Sequence, residues 1–171
     1  MRKTYRSHGV KDYWAARWEN IPADVPMENL DVYPLKFAAM TVKDEEGKIL
    51  EAGCGAGRIL RYYHDLGYDI TGIDFIKAAV SKLKKVDSTL KVKEGDITNL
   101  KFSDHSFKYI LAFGLYHNIE SGLEKAIAET WRVLEKEGMV CASFRADNIQ
   151  TWLSDNLTKL GAKSRGSKSK E

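Results

Sequence analysis

The chain has 171 residues, enough for one domain with its own hydrophobic core, and its 43% hydrophobic and 30% charged residues give the balance of an ordinary soluble globular protein. No apolar run approaches the ~20 residues of a membrane span, and the opening MRKTYRSHGV lacks the apolar stretch of a secretory signal, so a cytoplasmic protein is expected. The net charge of +3 is divided: Arg2, Lys3, Arg6 and Lys11 give +4 to residues 1–11, five bases against one acid give +4 to residues 159–171, and residues 12–158 carry −5. Basic side chains at the two ends, not clustered on the body, argue against nucleic acid as a partner.

Residues 1–44 are rich in aromatics, hold all three prolines (Pro22, Pro26, Pro34) and read as helix, loop, helix. Within them YWAARWEN crowds Tyr13, Trp14 and Trp18 into two amphipathic turns. From residue 45 to 158 strand and helix patterns alternate. GKILEAG is a short apolar strand, and RILRYYHDLG follows as a helix stopping at Gly67. YDITGIDF is the second strand, with a helix through IKAAVSKLKKV. LKVKEGDI is a third, and the continuous apolar FKYILAFG is a fourth, as expected of a strand buried on both faces. GLEKAIAETWRVLEKEG predicts a long amphipathic helix ending at Gly138, with Ser121 as its N-cap, and GMVCASF predicts a fifth strand. RADNIQTWLSDNLTKLG reads as one further helix, and 159–171 as a basic flexible tail. This alternation implies an α/β fold with a doubly wound, mostly parallel sheet.

The stretch ILEAGCGAGR (49–58) is the turn between the first strand and the first helix of that sheet. Gly53, Gly55 and Gly57 remove the Cβ atoms that would hold a ligand away from the backbone. The helix that follows turns its free N–H groups toward the same space. The dinucleotide fingerprint G-x-G-x-x-G needs its third glycine at position 58, which is Arg58 here, and the acidic Glu51 precedes the turn. The second strand ends in Asp74, placed to accept from both hydroxyls of a ribose, and the third is followed by Asp96, placed to accept from an adenine amino group. Each acid alone is also explained as a turn or capping residue. These strand-end acids are reached by either a dinucleotide or an adenosyl ligand.

ILEAGCGAGR, ITGIDF, EGDITNLKFSDHSFKYILAFGLYHNIE and AIAETWRVLEKEGMVCASF resemble successive motifs of the class I S-adenosylmethionine-dependent methyltransferases. The resemblance covers roughly residues 47–145 and is nearest to the small-molecule group that includes the ubiquinone and menaquinone biosynthesis enzymes. It implies a Rossmann-like fold, S-adenosyl-L-methionine as cofactor with S-adenosyl-L-homocysteine as product, and a small organic acceptor. It also implies roles by position. Gly53 and Gly55 carry the methionine end of the cofactor, with Glu51 behind them near its amino group. Asp74 binds the ribose, Phe75 packs on the adenine, Asp96 and Ile97 recognise the adenine edge, and Phe113 and Gly114 line the pocket near the methionine moiety. Arg58 is either a partner of the cofactor carboxylate or a solvated helix residue. In the family an N-terminal helix often closes over the cofactor, so Tyr13, Trp14 and Trp18 serve as a lid, as an anchor for their helix, or as both.

Methyl transfer is an in-line displacement that needs alignment above all, and a base only where the acceptor must lose a proton. His117 is the candidate base and Tyr116 shares its status; the alternative for both is a place in the pocket wall or a helix cap. His8, His64 and His105 are assigned no role. The fourth strand ends in AFGLYHN, without a carboxylate or a metal-ligand cluster, so no magnesium is expected. Cys54 and Cys141 are expected to be reduced thiols. The family sheet usually closes with an antiparallel hairpin after the fifth strand, and no later segment here has strand character. The fifth strand is therefore expected as an edge open to pairing, and a homo-oligomer could form through it. A cofactor-binding but catalytically incomplete fragment or subunit of a larger assembly, and more distantly a NAD(P)-dependent oxidoreductase, are the alternatives.

Overall fold

The computed structural model describes residues 10–21, 23, 26–43, 46–119 and 121–144, all within one compact unit, Arg6–Phe144. The helix expected after residue 144 and the tail 159–171 lie outside the described residues.

Two helices come first, α1 (Val10–Asn20) and α2 (Leu35–Thr41), which is the helix–loop–helix expected of the N-terminal segment. The strands follow: β1 (Ile49–Ala52), β2 (Ile70–Asp74), β3 (Val92–Glu94), β4 (Phe107–Ala112) and β5 (Leu134–Ala142). Helices α3 (Arg58–Asp65), α4 (Lys77–Val86) and α5 (Leu123–Val133) connect β1 to β2, β2 to β3 and β4 to β5. All five strands are parallel, in the spatial order β3-β2-β1-β4-β5. β1 pairs with β2 on one side and β4 on the other, so the winding reverses there. Such a switch point opens a crevice at the carboxyl ends of the strands.

The period-2 alternation of the strands divides the core between two faces. Ile49, Ile70, Tyr109 and Leu111 point to one face and pack with Leu35 of α2, Ile59 and Leu60 of α3 and Leu83 of α4. Leu50, Ala52, Ile73, Ile110 and Ala112 point to the other and pack with Ala126 and Val133 of α5. Every residue of β1 is buried, as expected of a central strand, and Glu51 is the one acid among its apolar residues. At Gly72 a Cβ would lie 2.8 Å from Leu60 Cδ2 and 3.1 Å from Cys54 Sγ, so this glycine lets α3 settle closely on β2.

The fifth helix departs from expectation at both ends. Its N-cap is Gly122 in the left-handed region, with no side-chain cap, rather than Ser121. Its last residue is Val133 rather than Gly138. The helix-forming sequence LEKEG is overridden by tertiary bonds. His105 N–H and Ser106 N–H, leading into β4, donate to Arg132 O (2.9 Å) and Val133 O (2.8 Å). Leu134 is thereby buried beside Phe107 and starts β5. The register then slips, Phe107 pairing with Leu134 and Tyr109 with Met139, and Gly138 sits in the irregularity against Leu134 and the Lys108 carbonyl.

Candidate functional site

A cavity of about 810 Å³ opens at the carboxyl ends of β1, β2, β3 and β4 and is partly roofed by α1. Its size is in the upper part of the roughly 300–1,000 Å³ usual for small-molecule sites. The turn after β1 forms its base. Gly53, Gly55 and Gly57 all have positive φ (73°, 52° and 76°), which a side chain would resist. Gly53 N–H and Cys54 N–H donate to Ile73 O at 2.8 and 3.0 Å, fastening the turn to the end of β2. Gly55 N–H donates to Asp74 Oδ2 at 2.9 Å. A Cβ on Gly55 would lie 2.6 Å from the Trp18 ring, so the indole rests directly on the turn.

Three acids mark three strand ends, as expected. Glu51 is 6% exposed, and its Oε2 has no hydrogen-bond partner among the described residues. Burial pushes its carboxyl up from 4.5 to about 8; the Leu60 backbone N–H opposes this, Asp74 adds to it and Arg58 counters it. Asp74 is also buried, and burial raises its carboxyl, against donation from Ile76 N–H and Gly55 N–H. Its Oδ1 accepts from Ile76 N–H at 2.9 Å. Each carboxylate oxygen keeps a second lone pair for a hydroxyl donor. Asp96 is exposed, and its Oδ1 accepts from the N–H and the hydroxyl of Thr98, both at 2.8 Å. Phe75, Ile97, Phe113, Gly114 and Arg58 line the same cavity.

The roof is held in place by a residue that the sequence did not point to. Lys82 of α4 donates from Nζ to the carbonyls of Trp18 (2.6 Å), Glu19 (2.5 Å) and Ile21 (3.0 Å). A cation is thus set on the carbonyl end of α1, where the helix dipole favours it. Trp14 stacks on Trp18 with ring centroids 5.8 Å apart, and both line the cavity. Tyr13 meets Trp14 edge-on at 5.2 Å but does not line the cavity, which favours its part as an anchor. Two more contributors had no signal in sequence. Ser143 accepts from Gly114 N–H at 2.8 Å and bonds Tyr33 Oη at 3.0 Å, while Asn118 Nδ2 donates to Gly114 O at 2.6 Å. Lys11 and Arg17 also line the cavity. Their spacing from Trp14 and Trp18 was readable as one helical face.

The two candidate proton-transfer residues do not reach the cavity. After Gly114 the chain enters a 3₁₀ turn, Tyr116–Asn118. That turn carries Tyr116 inward, where its hydroxyl lies 2.7 Å from Thr130 Oγ1 of α5. His117 is left exposed on the outside, and Leu115, Asn118 and Ile119 line the cavity instead. His64 and His105 serve locally: His64 Nε2 lies 3.0 Å from Thr89 Oγ1, and His105 Nδ1 lies 2.9 Å from Leu134 O. Cys54 is buried with its thiol pushed well up by burial, so it packs rather than reacts. Among the described residues no group of three or more His, Cys, Asp or Glu side chains could hold a metal ion, and no helix is long and apolar enough to cross a membrane.

The sequence matches the family model described as a methyltransferase domain over residues 50–142, more than half of the chain. It is similar to a demethylmenaquinone methyltransferase of Paenarthrobacter aurescens, 33% identical over 116 residues, which covers 67% of this chain and 45% of that protein. It is also similar to a malonyl-[acyl-carrier protein] O-methyltransferase of Pectobacterium atrosepticum, 26% identical over 117 residues, covering 66% of this chain and 44% of that one. The chain therefore spans less than half the length of these curated relatives. Among solved structures, a SAM-dependent methyltransferase of Methanosarcina mazei shares the fold with a TM-score of 0.60 at 23% identity, over 74% of this chain and 65% of that one. With the glycine turn, the three strand-end acids and the parallel sheet in place, the chain belongs to the methyltransferase domain family.

Proposed function

We propose that this chain is a class I S-adenosylmethionine-dependent methyltransferase acting on a small organic acceptor. The observation that carries this is Glu51 Oε2, a buried carboxylate oxygen without a partner among the described residues, behind a turn that lacks Cβ atoms at Gly53, Gly55 and Gly57. An ammonium is the group that such an oxygen lacks. The relatives named as methyltransferases support the same activity.

When bound, S-adenosylmethionine supplies an electrophilic methyl group on a sulfonium leaving group. In this proposal Glu51 holds the ammonium of its methionine end, and Gly53 and Gly55 let that end approach the backbone. Arg58, at the rim, takes the carboxylate. Asp74 accepts from the ribose hydroxyls while Gly55 and Ile76 fix its orientation. Phe75 covers the adenine face, and Asp96 with Ile97 reads the adenine edge. Phe113 and Gly114 shape the wall beside the reacting centre, and Gly114 is held from both sides by Ser143 and Asn118. Trp14 and Trp18 close over the turn and exclude water. In the N-terminal segment 1–44, α1 thus acts as the lid while Leu35 and Ala38 of α2 pack into the core, and 45–158 is the proposed cofactor-binding core. No histidine lines the cavity among the described residues, so the acceptor should be one whose nucleophile is already ionised or carries a free lone pair.

The proposed setting is the cytoplasm, in keeping with the free thiols of Cys54 and Cys141. Nucleic acid is not the proposed acceptor. β5 has no outer partner strand among the described residues and exposes Met139 and Val140, so it is a proposed edge for a second copy. A dimer by light scattering that Val140→Lys dissociates would support this, and a wild-type monomer would contradict it.

The activity is tested with methyl-labelled S-adenosylmethionine and a panel of small acceptors, alongside thermal shifts. The expected result is label in an acceptor and stabilisation by S-adenosylhomocysteine but not by NAD. Stabilisation by NAD alone would refute the proposal. A second reading, cofactor binding without transfer, is favoured by the placement of His117 and Tyr116 away from the cavity. Binding with no turnover on any acceptor would select it.

A further inference from the structure

Charge is unevenly distributed around the cavity. Its strand-end side is acidic, with Glu51, Asp74 and Asp96, while its α1 side is basic and aromatic, with Lys11, Trp14, Arg17 and Trp18. Trp14 lies three residues after Lys11, Arg17 and Trp18 lie three and four after Trp14, and the four share one helical face. Lys11 and Arg17 are both exposed at the cavity rim, and neither has a carboxylate partner among the described residues. The Arg17 guanidinium lies 5.7 Å from the centroid of the Trp14 ring, which holds it on the cavity face of the helix.

Arg58 already accounts for one anionic group of the proposed cofactor, and the strand-end acids account for its cationic and hydroxyl groups. Lys11 and Arg17 have no part in that scheme. They add two positive charges near a ligand that itself carries a sulfonium. On the α1 side of the cavity these two charges favour an anionic group on the remaining occupant. Solvated cations on a helix surface are common, but these two share a face with two tryptophans that line the cavity, and a solvent-facing stripe would have no use for the indoles. Tyr33 and Phe113, edge to face with centroids 5.8 Å apart, add further ring surface to the same cavity.

We propose that the acceptor is a small organic anion with a flat apolar body, its carboxylate or phosphate group facing Lys11 and Arg17 and its body lying on the rings that line the cavity. This rests on the methyltransferase reading above and deepens it by naming the charge class of the acceptor.

The test uses the full chain saturated with S-adenosylhomocysteine and titrated with 2-naphthoate, 2-naphthyl phosphate and the uncharged 2-naphthamide, followed by tryptophan fluorescence and calorimetry. At least one of the two anions should bind about tenfold or more tightly than the amide, and which one does so identifies the headgroup. In Lys11→Met/Arg17→Met that gap should shrink to about threefold or less, with S-adenosylhomocysteine affinity held within about twofold. Both residues are exposed, so the variant is expected to fold. Equal affinities for anions and amide overturn the inference, as does failure of all three to bind, or a gap that persists in the variant. The two failures are distinguishable: S-adenosylhomocysteine binding without an anion preference sinks only this inference, whereas absence of S-adenosylhomocysteine binding sinks the cofactor assignment beneath it.

Discussion

At neutral pH Glu51 holds its proton in the cofactor-free protein, because burial lifts its carboxyl from 4.5 to about 8. The folded state therefore binds more protons than the unfolded chain between those values. The stability this group contributes is fully present below about 4.5 and is lost as pH rises through about 8. Asp74, raised in the same direction by burial, adds to the same trend from its own lower starting point. We predict that the cofactor-free protein loses stability between about pH 5 and about pH 8, and that Glu51→Gln flattens the slope in chemical denaturation. A slope unchanged in Glu51→Gln would show that Glu51 is ionised in the folded protein. An ammonium beside Glu51 favours the charged carboxylate, so S-adenosylhomocysteine should bind with release of a proton. Its affinity should then rise with pH toward about 8 in the wild type and stay flat, and weaker, in Glu51→Gln. Calorimetry in buffers of different ionisation enthalpy reads the proton directly, and uptake instead of release would contradict the assignment. Gly55→Ala belongs to the same scale. The new methyl meets the Trp18 ring at 2.6 Å and demands a φ of +52°, so cofactor affinity should fall although the substitution is small. An unchanged affinity would mean that the turn is not where the ligand lies.

Among the elements, α1 depends most on a single contact. It is 11 residues long, too short to be stable alone, and its carbonyl end is held by the three bonds from Lys82. Lys82→Met keeps the aliphatic stem and removes the ammonium, at a local cost of about 1–2 kcal/mol. Amide exchange in α1 should accelerate while the sheet stays protected, and S-adenosylhomocysteine should bind more weakly. Faster exchange spread evenly over the sheet would instead assign Lys82 to global stability. The sequence could not show this contact, because SKLKK offers several equivalent lysines and the partners lie more than 60 positions away. The strands, by contrast, were legible one by one: ILEA, ITGID and FKYILA each carry the apolar pattern their burial requires, and each reports its own position in the sheet. The end of α5 was not legible, since LEKEG is a good helix-forming string that α5 does not enter because His105 and Ser106 take the Arg132 and Val133 carbonyls. The same limit applied to His117. Its position after β4 was readable, but the 3₁₀ turn that swings it outward is set by Tyr116 packing against Thr130 of α5.

At the scale of the whole molecule, the strand order β3-β2-β1-β4-β5 is what turns separate motifs into one site. Glu51, Asp74 and Asp96 lie far apart in sequence, and only a parallel sheet with its reversal at β1 brings all three to the carboxyl edge beside the glycine turn. The strand-end side of the cavity, the proposed cofactor half, was therefore readable from the strand ends. The side of the cavity formed by α1, Tyr33 and Asn118, the proposed acceptor half, was readable only through the helical spacing of α1. Titrating S-adenosylhomocysteine into the wild type and into Asp74→Ala, with NAD as the comparison ligand, tests the whole arrangement most directly. We expect saturable binding to the wild type, affinity about 10- to 100-fold weaker in Asp74→Ala from the lost charge-assisted hydrogen bonds, and no binding of NAD. Saturable NAD binding without S-adenosylhomocysteine binding, or an Asp74→Ala protein that folds and binds as tightly as the wild type, would contradict it.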